Sequence, residues 1–222
     1  MKQFVRITVL TAFILMGAID AMAIEEATYD VIKQDNTFEV RDYAPHIVAE
    51  TVVDGDLEDA GSKAFNRLFR YISGDNRSRD KVAMTAPVSQ EPVGEKIDMT
   101  APVGQQRFEE RWVVSFMMPG SYTLETLPEP DDPAVTLRQV PARRMAAIRY
   151  SGFWSEKRYL RHKGELEAWI HKVGLTIVGD PIWARYDPPF MPWFLRRNEV
   201  LILVEAGTGQ GKARQSQGEA TE

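Results

Sequence analysis

The chain contains no cysteine. That single absence excludes disulfides, thiolate metal sites, cysteine nucleophiles and a lipidated N-terminal cysteine. Histidine is almost as scarce, so an imidazole-based site would have to draw on His46, His162 and His171. No HExxH, EF-hand loop, P-loop, GxGxxG or Gly-x-Ser-x-Gly segment occurs, and the usual sequence frames of metal-dependent hydrolysis, nucleotide hydrolysis and α/β-hydrolase chemistry are missing with them. Basic excess is missing too. Lys and Arg number 27 against 32 Asp and Glu, a formal charge of -5, and no basic stripe stands out, which argues against nucleic acid as a partner.

Only one long apolar run exists, from Ile7 to Ile19, preceded by Lys2 and Arg6 and followed by Ala21-Met22-Ala23. As a helix this run spans about 20 Å, short of the ~30 Å hydrocarbon core of a bilayer. Residues 1–23 therefore read as a secretory signal peptide, with Ile24 as the expected first residue of an exported, soluble and acidic protein that has no stable membrane insertion. For a bacterial chain the destination is the periplasm, where a cysteine-free protein needs no oxidation machinery. Residues 24–206 read as one folded domain. Residues 207–222, rich in Gly, Gln, Ser and Glu, are expected to form a disordered polar tail.

Within the domain, 29–33 and 38–43 alternate apolar and polar residues around Asp35-Asn36 and predict a hairpin, with a third strand over 46–53. A helix is expected to start near Asp54–Asp56 and to run to Ser73, stopped by Gly74. A second helix is expected over 155–173, with Ser155 as its N-cap and Gly174 as its terminator. Strands are expected over 111–118, 135–140, 145–150, 181–186 and 199–205. The most distinctive feature is a repeat, KVAMTAPV at 81–88 and KIDMTAPV at 96–103, identical at six of eight positions. Each copy is β-prone and ends at proline, so the pair reads as two strands with equivalent packing sites. Strands, helix, strands, then strands, helix, strands: the order implies two similar halves in one antiparallel α+β unit.

Candidate chemistry is sparse. His171 falls on the solvent side of the second helix, His162 at the edge of its apolar stripe as a packing residue, and His46 is the one weak candidate for a metal ligand. Thr85 and Thr100 repeat, but a Thr before Ala-Pro at a strand end serves hydrogen bonding and packing. Met84 and Met99 are expected to pack in the core or a cleft wall. More informative is apolar bulk where a surface is expected: Phe65 and Phe69 on the outer flank of the first helix, with Arg70 beyond, and Phe190, Met191, Trp193 and Phe194 in a loop that ends at Arg197. An apolar slot with cations at its rim matches a flat hydrophobic ligand bearing carboxylates, such as a tetrapyrrole. The same residues also suit a loop that caps the core with its arginines paired to Asp or Glu.

The paired MTAPV segments, WVVSFMMP with SYTLETLPEP, VTLRQVPARRMAAIRYSG, ARYDPP and RRNEV resemble, in this order, the SOUL haem-binding protein family over roughly 29–205. The resemblance implies a distorted antiparallel β-barrel flanked by two helices and built from two similar halves. It also implies haem or another tetrapyrrole as a non-covalently bound ligand, without a known reaction; no catalytic constellation is visible in the sequence, and no enzymatic activity is expected. The implied site is an apolar cleft between the first helix and the loop before the last strand, carried here by Phe65, Phe69, Arg70, Phe190, Met191, Trp193, Phe194 and Arg197. Haem transport or buffering is the implied role. Some members carry a His directly after the Arg of the early strand as a proposed axial ligand; here that position is Asp42. A GyrI-like small-molecule-binding module and an enzyme acting on an apolar substrate are the other readings this architecture admits.

Overall fold

The computed structural model describes residues 24–79 and 94–206. Residues 1–23 and 207–222, on which the expectations of a signal peptide and a disordered tail fall, and the first MTAPV copy with Met84 and Thr85 lie outside the described residues.

The first hairpin joins β1 (Tyr29–Asp35) to β2 (Phe38–Tyr43), with Asn36 at positive φ in the turn. β3 (His46–Val53) leads into helix α1 (Leu57–Ser73). The Asp56 carboxylate caps α1 by accepting from the N–H groups of Glu58 and Asp59 at 3.1 and 2.8 Å, and Gly74, at φ 120°, closes the other end as the sequence predicts. Asp56→Ala should lower stability by about 1 kcal/mol, read as a modest fall in the unfolding midpoint; an unchanged midpoint would mean that the cap contributes nothing. After a two-residue strand β4 (Asn76–Arg77) come β5 (Val103–Phe108), β6 (Arg111–Met117), the short β7 (Glu129–Pro130), β8 (Thr136–Val140) and β9 (Arg143–Tyr150). Helix α2 (Glu156–Lys172) starts at the Ser155 cap and is followed by β10 (Leu175–Ile177), β11 (Ile182–Arg185) and β12 (Asn198–Ala206).

Nine strands form one curled antiparallel sheet in the order β1-β2-β9-β12-β11-β5-β6-β3-β8, with β10 added to the far half of β12, while β4 pairs β7 separately. About the β11–β5 junction this order is a pseudo-twofold: β12 matches β6, β9 matches β3, and β2 matches β8. In each half the leading strand crosses over to pair with the other half, β2 on β9 and β8 on β3. Helix α1 covers β3 and β6, and α2 covers their counterparts β9 and β12. The α+β fold with two flanking helices and two similar halves is thus as expected.

The main core lies between the helices and one face of the sheet. Leu57, Ala60, Ala64 and Leu68 of α1 pack on Ala49, Val114 and Phe116, and Leu166, Trp169 and Ile170 of α2 pack on Ala146, Ile148 and Val200. Two expectations need correction. The second copy of the repeat is not a strand over 96–102; β5 begins only at Val103. Its polar groups bond out of register instead, with the Ile97 N–H to the Ile72 carbonyl, the Ala101 N–H to the Glu25 carbonyl and the Thr100 hydroxyl to the Met117 carbonyl, and Pro102 has no N–H to offer a ladder. Met99 is 39% exposed, not a core residue.

Candidate functional site

Each helix covers its own half, so the junction of the halves, β11 beside β5, lies in a seam between α1 and α2. Strand pairing lays Tyr150, Asn198, Arg185, Val103, Phe116 and Ala49 side by side across six strands on the helix-covered face. Phe65 of α1 meets Phe116 edge-on at 5.3 Å and stacks on Phe69 at 5.9 Å. Two strand spacings, roughly 10 Å, separate the Phe116 position from Arg185.

Arg185 is the unusual member of this row. Its guanidinium lies 4.8 Å from the Trp183 ring and 5.3 Å from the Trp154 ring, and it donates to the Gln105 side-chain oxygen. No carboxylate pairs with it among the described residues, and burial pushes its pKa down to about 10. Gly61 of α1 makes room for it: a Cβ there would stand 2.9 Å from Nη2 of Arg185 and 3.0 Å from the Gln105 oxygen. Gln105, fully buried in β5, donates in turn to the Leu57 carbonyl and ties the strand to the start of α1. Trp154 donates to Asn198 at 2.9 Å and carries a second guanidinium, that of Arg196, at 4.7 Å. Arg196 also donates to the Met191 and Pro189 carbonyls, which braces the loop against the seam. On that loop Trp193 stacks on Phe153 at 5.3 Å and meets Phe194 edge-on at 5.6 Å. Phe69, Phe153, Trp193 and Phe194 are 46%, 54%, 47% and 57% exposed, and Phe190 is more exposed still. Apolar rings on two sides of a cationic floor are thus open to solvent. Large side chains in such a place indicate a binding surface more than a fold requirement.

The sequence-predicted residues divide accordingly. Phe65 and Phe69 stand on the seam flank of α1, and Phe190, Met191, Trp193 and Phe194 are on the loop beyond Trp154. The two predicted cations are not with them. Arg70 lies roughly 180° around α1 from Gly61, at about 100° per residue, and faces Asp132 at 3.8 Å and Asp75 at 3.9 Å. Arg197 points to the opposite face of the sheet, where it pairs with Glu26 at 2.7 Å and Glu199 at 3.0 Å and covers the Tyr186 ring at 3.7 Å. Side-chain alternation is the reason: Arg197 is two residues from Glu199, and the buried Glu199 carboxylate holds it. Arg185 and Arg196 take the places expected of Arg70 and Arg197. Arg185 was legible in principle, because Trp183 and Arg185 at i and i+2 share one strand face and a cation beside a core tryptophan is out of pattern.

No histidine presents a free ring nitrogen to the seam. Ile47 and Ala49 face the helices, so His46 faces the other way, with Nδ1 donating to the Ala44 carbonyl at 3.0 Å; burial, helped by Arg143 and Arg138, lowers its pKa and keeps it neutral at pH 7. It borders a cavity of about 280 Å³ whose lining includes Glu25, Glu26 and Glu125. That is below the ~300–1,000 Å³ of typical ligand pockets, and the acidic rim opposes an anionic guest. His162 stacks on Tyr150 at 3.9 Å with its nitrogens on Arg161 and Glu165, and His171 is exposed. Asp42 pairs with Arg144 through two bonds of 2.7 Å. Among the described residues no group of three or more acidic or histidine side chains could hold a metal ion, and no helix is long and apolar enough to cross a membrane.

A sequence profile described as SOUL heme-binding protein matches residues 24–203. The chain belongs to the SOUL heme-binding protein family. Among similar proteins, Heme-binding protein 1 of Mus musculus is 26% identical over 153 residues, 68% of this chain and 75% of the mouse protein. Heme-binding protein 1 of Xenopus tropicalis is 24% identical over 172 residues, 77% of this chain and 85% of that protein. Two solved structures share the fold at low identity. The EcmrR C-terminal domain has a TM-score of 0.53 at 10% identity, covering 80% of this chain and 98% of its own. A hydrolase from Listeria innocua has a TM-score of 0.51 at 12% identity, covering 78% and 94%. Among the described residues of this SOUL member, exposed aromatic side chains stand on both sides of the interhelical seam, Phe69 on one and Phe153, Trp193 and Phe194 on the other.

The cavity beside His46 shares no lining residue with the seam. His46→Ala should leave haem affinity within about twofold of the parent; loss of binding in this variant would move the site to that cavity.

Proposed function

We propose that this SOUL protein binds haem or a related tetrapyrrole non-covalently in the interhelical seam. The observation that carries the reading is the pairing of solvent-open rings, Phe69 on one side, stacked on the half-buried Phe65, and Trp193 and Phe194 on the other, with the arginine-floored row between them. The dimension suits a flat macrocycle, and an apolar disc with acidic substituents needs both rings and cations. Bound haem would supply iron and a conjugated macrocycle. The side chains at the seam supply packing and charge, with binding rather than turnover as the role, in haem transport or buffering by an exported, periplasmic protein. Apolar contact is the larger contribution, at about 25 cal/mol per Å² of apolar area removed from water before ordering costs.

Titration of the chain from Ile24 onward with haemin tests this. A saturable, protein-dependent shift of the Soret band at one equivalent is expected. A spectrum that stays that of free haemin at every ratio would refute the reading.

A further inference from the structure

The seam holds more positive charge than the protein answers. Arg158, Arg185 and Arg196 gather around Tyr150 and Trp154, and none has a carboxylate partner among the described residues. Among the described residues, two buried side-chain donors here lack an acceptor, Nε of Arg185 and the Tyr150 hydroxyl, while the neighbouring Trp183 N–H is turned to the Tyr150 oxygen. Buried donors without partners are rare and costly, and two of them at an unpaired guanidinium are a pair awaiting an acceptor.

We propose that Arg185, with the Tyr150 hydroxyl, forms a receptor for one carboxylate of the bound ligand, a propionate where that ligand is haem. This rests on the tetrapyrrole-binding reading. Tyr150 and Arg185 flank Asn198 in the same row and face the same side, and the Tyr150 hydroxyl and the guanidinium are close enough to act on one another electrostatically. Among the described residues the only hydrogen bond of the guanidinium goes to the neutral Gln105 oxygen, which leaves its charge uncompensated. Trp154 and Trp183 exclude water from the guanidinium faces, which strengthens a charge-assisted bond to an incoming carboxylate. Gly61 keeps α1 from displacing the guanidinium.

A residue kept only for the fold would not be a partly buried cation without an anion. Its replacement by an apolar side chain of similar length should leave the ligand-free protein as stable as before or more so, while a carboxylate-bearing ligand is lost. The test is titration of the parent chain, Arg185→Met and Arg185→Lys with haemin and with haemin dimethyl ester, beside melting curves of the ligand-free proteins. Arg185→Met should weaken haemin by about tenfold to a hundredfold, leave the ester at the parental affinity and not lower the melting midpoint. Arg185→Lys, which keeps the charge but loses the planar fork, should fall between. Equal weakening of haemin and ester, or no weakening of haemin, would overturn the carboxylate receptor while the tetrapyrrole reading stands. A parent that binds neither ligand would overturn both.

Discussion

Glu199→Gln should destabilise the protein by about 3 kcal/mol, because it removes the buried anion that Arg41 and Arg197 share and leaves them only the outer carboxylates of Glu39 and Glu26. Glu199 is fully buried and accepts from Arg41 at 2.7 and 3.1 Å, from Arg197 at 3.0 Å and from the Tyr186 hydroxyl at 2.8 Å. Arg41, also buried, donates further to Glu39 at 2.6 Å and to the Tyr43 hydroxyl at 3.0 Å. For a domain of this size the midpoint should fall on the order of 10 °C. Replacing Glu199 and Arg41 together by leucine should recover part of that, since removing both charges leaves less uncompensated than removing one. A single variant that melts within about 2 °C of the parent would contradict the account.

The same group sets an acid limit. Burial pushes the Glu199 carboxyl up, but the bonds and charge of Arg41 and Arg197 outweigh it, and the net shift is down. A carboxyl with a folded-state pKa below its unfolded value contributes stability that is fully present above the unfolded value, ~4.3, and is lost as pH falls through the folded one. Denaturant midpoints should therefore fall below about pH 4 in the parent and fall less steeply in Glu199→Gln. An identical acid limb in both proteins would mean that other carboxylates carry it.

Phe69→Asp should weaken haem binding by about tenfold to a hundredfold with little loss of stability. Phe69 is half exposed on the free protein, so its removal costs the fold little, while the contact formed with ligand is worth about 1.5–3 kcal/mol for a fully buried phenyl ring. The new carboxylate also repels an acidic ligand. Phe69→Leu should retain most of the affinity. Equal Soret titrations for Phe69→Asp and the parent would remove α1 from the site.

These two variants probe opposite faces of the sheet, and the sequence revealed them unequally. The helices were readable because their ends are chemical signals, Asp56 and Gly74 for α1, Ser155 and Gly174 for α2. β5 was not, because Gly104, Gln105 and Gln106 carry no alternating pattern; Gln105 is buried for its bond to the Leu57 carbonyl, a contact 48 positions away. The aromatic half of the site was legible as bulk without a core to fill. Its cationic half was not, since Arg196 and Arg197 differ only in which face of β12 they approach, and the buried Glu199 decides that. The exchange of β2 and β8 between the halves, which brings β11 beside β5 and opens the seam, depends on long-range pairing that no local pattern records.

Mapping amide chemical shifts of the chain on addition of zinc protoporphyrin tests the central claim most directly. Shifts should concentrate at Gly61–Phe69, Phe153–Trp154, Arg185 and 190–196, with Glu25–Thr28 and His46 unmoved. Shifts centred on His46 and Glu25–Thr28, with α1 and the 190–196 loop silent, would contradict it.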